Sequence, residues 1–120
     1  MEYLKKNAEY FEKKAIEALD EEPKFVLFFT EQALQLYLKY ILAKKLGDYP
    51  KTHKLKVLLN EFGKLNKEVE LFIKKYELVI DLLEEAYITS RYIDKTYSKR
   101  SADEAIKMLK EFKEVFKEWL

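Results

Sequence analysis

Cysteine is absent from this chain. Disulfide frameworks, zinc–thiolate centres and cysteine nucleophiles are excluded together. Histidine occurs once, at His53, so an imidazole metal site has no second ligand of its kind and no Ser-His-Asp arrangement can be argued. Glycine and proline number two each, too few for a loop-rich or all-β chain. Gly47 and Gly63 stand alone, so there is no glycine-rich phosphate loop. A charge excess is missing as well. The 23 Lys and Arg against 22 Asp and Glu leave a net charge of +1, whereas non-specific duplex binding rests on a strong basic excess. Any grip on nucleic acid must therefore be local. No apolar run approaches the roughly 18 residues of a membrane span, and no signal-peptide pattern opens the chain. The expectation is a cytoplasmic protein with no membrane contact, no metal and no cofactor.

What is present is a 120-residue chain that is 48% hydrophobic and 38% charged. That length supports one domain with a real core, and that apolar content argues against disorder. Lys and Glu dominate the charge, and both form helices readily. Few Asn, Gln and Met beside abundant Lys and Glu fit a hot-growing source.

The 3.6-residue period predicts five helices. The first runs from about Glu2 to Asp20, with Leu4, Ala8, Phe11, Ala15 and Leu19 on one face. The second runs from about Pro23 to Leu46, with Gly47 as a left-handed C-cap. It is apolar nearly all round, so it is either central to a bundle or covered by a second subunit. Only a narrow polar stripe interrupts it: Glu31, Gln35 and Lys39, one turn apart, with Gln32 beside them. After "GDYPKTH", Thr52 is the expected N-cap of a short third helix. A fourth starts near Lys67 and, if continuous to Tyr92, is roughly 36 Å long. "SADE" at 101–104 has the form of a capping box opening the fifth, with Ser101 as N-cap. The expected fold is all-α, an up-and-down antiparallel bundle in a single domain over residues 1–120.

Three places can carry chemistry. In "SRYIDKTYSKRSADE", residues 90–104, four cations (Arg91, Lys95, Lys99, Arg100) crowd with Tyr92 and Tyr97. A guanidinium forks onto two phosphate oxygens, and tyrosines stack on bases. The plain alternative is a solvated turn on which the cations pair with Asp94, Asp103 and Glu104. The Glu31–Gln35–Lys39 stripe is either the polar wall of a cleft facing Arg91 or the wet side of a buried helix. His53, beside the expected N-cap, is read as a structural residue, since a general base needs a neighbour to orient it.

The order "TEQALQLYLKYILAKKLG", "PKTHKL", "LLNEF" and "AYITSRYID" before a last amphipathic helix resembles the HEPN domain family (higher eukaryotes and prokaryotes nucleotide-binding). The resemblance covers essentially the whole chain. It implies a helical bundle that usually dimerises and handles nucleotide or RNA, often beside a nucleotidyltransferase subunit. It points to Arg91, Tyr92, Asp94, Lys39, Gln35 and Glu31 as nucleotide- or phosphate-binding residues. Some relatives are metal-independent RNases of toxin type, with a histidine four to six residues after the arginine; here Tyr97 stands near that place. On the second helix, Gln35 falls where relatives often carry a carboxylate. The expected function is thus a homodimeric nucleotide- or RNA-binding module. The alternatives are a toxin-type RNase, or a ligand-free scaffold or antitoxin-like partner.

Overall fold

A computed structural model describes all residues, 1–120. Six helices and two short 3-10 turns account for the regular structure, with no strand. Helix α1 (Glu2–Glu21) buries Leu4, Ala8, Ala15 and Ala18, with Phe11 and Leu19 packed half-buried against the core. A 3-10 turn at Pro23–Phe25 leads into α2 (Val26–Leu46). Pro23 opens that turn, where its missing N–H leaves no bond unmade. Gly47 ends α2 at φ +85°, its N–H donating to the Ala43 carbonyl at 2.8 Å. No residue with a Cβ adopts that conformation cheaply.

Helix α2 is the axis of the molecule. It touches α1, α3 (Leu55–Gly63), α5 (Glu77–Tyr92) and α6 (Lys99–Val115). Its all-round apolar sequence is therefore covered mainly by its own chain. Helix α4 (Glu68–Lys75) completes the set, and a 3-10 turn at Lys117–Trp119 closes it. A continuous core of 27 buried residues runs through the bundle. At one end Phe62, Phe112, Phe116 and Trp119 meet edge to face, with Phe62 lying 5.0 Å from Phe116 and 5.1 Å from Trp119. Such pairs add about 1 kcal/mol each beyond the area they bury. No helix is long and apolar enough to cross a membrane.

Three sequence expectations are corrected. The fourth helix is two, so the bundle has six helices and not five. The break falls at Tyr76, at φ −116° and ψ 23°. Its buried ring leans on Phe72, and its hydroxyl donates to Glu111 of α6 at 2.7 Å. An apolar period continues across such a joint, so periodicity cannot see it. Thr52 does not cap α3; Lys54 holds the N-cap position, and the Thr52 hydroxyl accepts from the Lys54 N–H at 3.1 Å within the loop. Helix α6 starts earlier than expected. Ser98 is its N-cap and accepts from the Ser101 N–H at 3.1 Å, so Ser101 donates to the cap.

Candidate functional site

On α2 the polar stripe forms a closed ladder. The Glu31 carboxylate is fully buried and accepts from the Gln32 amide at 2.8 Å and the Gln35 amide at 3.0 Å. The Gln35 carbonyl in turn accepts from the Lys39 ammonium at 3.0 Å. A single amide thus joins a buried carboxyl to a half-exposed cation. Burial pushes the Glu31 carboxyl up to about 7, the Gln32 and Gln35 amides pull against it, and Glu84 of α5 adds to it. Burial also lowers Lys39, with Tyr49 and Glu31 opposing. The Lys39 ammonium lies 5.4 Å from the Tyr49 ring centroid.

Arg91 occupies the last turn of α5. Its Nε donates to the Tyr87 carbonyl at 2.9 Å. Its guanidinium carbon lies 4.5 Å from the Tyr87 ring centroid, 5.1 Å from Tyr92 and 6.0 Å from Phe28 of α2. The side chain takes part in no ion pair. Its remaining N–H groups thus lie free on an aromatic shelf. Tyr92 is 75% exposed at the rim. The ring of His53 lies parallel to that of Tyr87, at 4.6 Å and 10°.

The other members of the 90–104 segment have separate partners. Asp94 pairs with Lys24 at 3.7 Å, and Lys95 pairs with Glu85. The Tyr97 hydroxyl shares a hydrogen bond with Thr89 at 2.8 Å and ties the α5–α6 connection back to α5. Neither Asp103 nor Glu104 pairs with any of the four cations.

The structure gathers these groups along α2 without enclosing them. Phe28, which Arg91 overlies, and Lys39 are eleven residues apart, three turns of helix, so they share a face at a separation of roughly 16 Å. None of the four cavities is lined by Glu31, Gln35, Lys39, Arg91, Tyr92 or Asp94. The largest, about 510 Å³, sits at the α4–α5 joint around Tyr76. The site is an open surface. No group of three or more His, Asp or Glu side chains is placed to hold a metal ion.

The HEPN domain family model matches residues 1–119, with this surface inside the match. The chain belongs to the HEPN domain family. At the level of the family this makes it a nucleotide- or RNA-related module. Comparisons with curated proteins and with solved structures give no match.

In this HEPN domain, sequence reasoning missed Tyr87 and Phe28 as the shelf under Arg91, and His53 as its neighbour. Tyr87 was within reach, because Tyr87 and Arg91 are four residues apart and face each other on a helix. His53 was not, since its contact depends on how the α2–α3 loop crosses to α5.

Proposed function

We propose that this HEPN domain binds nucleotide or RNA, with Arg91 holding a phosphate and Tyr92 at the rim of the site. Asp94 orders the end of α5 through Lys24, and the Glu31–Gln35–Lys39 ladder supplies a second polar point on the same face of α2. The observation that carries this reading is the Arg91 guanidinium itself. It is exposed, unpaired and held on Tyr87 through its Nε. A fork fixed in this way loses little freedom on meeting a phosphate, and its outer donors match two oxygens. A stacked cation in a chain of near-zero net charge also gives the local grip that the composition requires.

The domain acts as a homodimer beside a nucleotidyltransferase partner. The dimer is supported by the half-exposed aromatics Phe25, in the turn before α2, and Phe28 and Phe29, in its first turn, and by exposed Ile88 and Ile93 on either side of Arg91.

Thermal unfolding with nucleoside phosphates or short RNA at low salt tests the binding. A ligand at a hundredfold excess over Kd stabilises the fold by about 2.7 kcal/mol, which raises Tm by several degrees in a domain of this size. Arg91→Ala should remove that shift while leaving the ligand-free Tm within a degree or so, because the side chain is exposed. An absence of any shift in the wild type, or an equal shift in the variant, removes Arg91 from the function.

A further inference from the structure

No hydrogen bond or ion pair crosses the seam between α2 and α5, although the two helices pack against each other. The other seams differ. Glu12 of α1 accepts from the Tyr37 hydroxyl of α2 at 2.7 Å, and Glu2 accepts from Tyr40 at 3.1 Å. Lys113 of α6 donates to the same Glu12 at 2.8 Å. The polar ties of α5 run elsewhere: Asp81 to Lys56 of α3, and Glu85 and Thr89 to Lys95 and Tyr97 in the connection that follows. Ser90, on the same helix, buries its hydroxyl oxygen with no partner, a desolvation that nothing repays. Helix α5 is thus held to its main neighbour by apolar packing, with the Arg91 guanidinium carbon 6.0 Å from the Phe28 ring.

Glu31 stands in that seam. It lies one turn from Phe28 on α2, is fully buried, and feels the Glu84 carboxylate of α5. Phe28 beside Arg91 and Glu31 beside Glu84 place both residues on the side of α2 that α5 covers. The two Glu31 oxygens accept only from neutral amides, those of Gln32 and Gln35, and no cation pairs with them. A buried carboxylate without a counter-ion is costly. Glu84 opposes its ionisation, and Lys39 favours it but bonds to Gln35 instead. Lys56 of α3 acts on Asp81 and Glu84. Glu12 of α1 and Lys113 of α6 meet α2 at Tyr37, roughly 120° round the helix from Glu31.

We propose that Glu31 is a proton-controlled latch on α5: its neutral carboxyl lets the helix lie against α2, and its carboxylate drives the helix off as a unit. Opening parts Arg91 from Phe28 and Tyr87 from His53, so the shelf under Arg91 exists only while the latch is closed. The latch belongs to the helix and holds whatever Arg91 binds. In the closed seam the Glu31 carboxyl is raised to about 7. Opening returns it toward the ordinary 4.5. The proton therefore favours the closed form, and that advantage is lost as pH rises from the lower value to the upper.

Amide exchange followed residue by residue by NMR, in low urea at pH 5.5 and pH 8, tests the latch. The Leu83, Ala86 and Tyr87 amides should exchange faster than buried amides of α1 and α6, with a shallower urea dependence, the mark of an opening smaller than global unfolding. Corrected for the intrinsic rate at each pH, their protection should fall up to about 25-fold from pH 5.5 to pH 8, the ratio that the Glu31 shift permits. Glu31→Gln should keep α5 closed and level the profile. Glu84→Gln, which leaves the buried ladder in place, should shrink the fall. Amides of α5 that match those of α6 in protection and urea dependence at both pH values overturn the latch, as does a fall in protection that survives in Glu31→Gln. If Glu31→Gln does not fold, Glu84→Gln decides: a fall as large as that of the wild type overturns it.

Discussion

Glu31 has no solvent contact, and two glutamine amides and a lysine complete its ladder. Its carboxyl titrates near 7 in the fold against an ordinary 4.5. The folded state therefore binds the proton more readily than the unfolded chain between those two values, and stability falls as pH rises through that window. The shift corresponds to about 3 kcal/mol at most. Thermal unfolding from pH 5 to pH 8 should show Tm falling in the wild type, with Glu31→Gln flattening the profile and raising Tm at pH 8. A wild-type Tm that rises steadily over the same range contradicts this. The six candidate side chains were all legible as residue types, because charge in an apolar helix and arginine beside tyrosine are visible in the sequence. Their connections were legible only within a single helix. Gln35 bridging Glu31 to Lys39 follows from the helical repeat, whereas the burial of Glu31 and its nearness to Glu84 of α5 come from the packing of other helices around α2.

At the level of the elements, helix ends separate what local rules see from what they miss. Gly47 was readable as a C-cap because only glycine suits φ +85° there. The start of α6 was misread because "SKRS" offers two serines three residues apart, and the box motif favoured the second. Urea unfolding decides between them. Ser98→Ala should lose about 1 kcal/mol and Ser101→Ala clearly less, since the first removes the capping oxygen. Equal losses would place the cap at neither residue alone. The joint at Tyr76 also left a trace in the sequence. Lys74 and Lys75 end α4 and Glu77 begins α5, the charge order that helix dipoles favour at a stop followed by a start. The apolar period outweighed that trace, and the anchoring of Tyr76 to Glu111 of α6 is a contact between residues far apart in the chain.

For the whole molecule, the open question is what covers the half-exposed aromatics of α2 and the rim of Arg91. A homodimer would bury them and bring two copies of the surface near one another. Sedimentation equilibrium at tens of micromolar should then give twice the 14.5 kDa chain mass. A single-chain mass throughout removes the dimer and leaves phosphate binding at Arg91 to be judged alone.

The sequence by itself determined the helical class, the positions of most helices, the lack of thiol ligands and of a second imidazole, and the near-balance of charge. Composition and a 3.6-residue period act within a few turns of chain, so a single sequence carries them. Only the tertiary structure decided that α2 is covered mainly by its own chain, that Tyr76 divides a helix, and that His53 meets Tyr87 beside Arg91. Each of these depends on the packing of segments distant in sequence, where burial and cross-helix hydrogen bonds outweigh local preference.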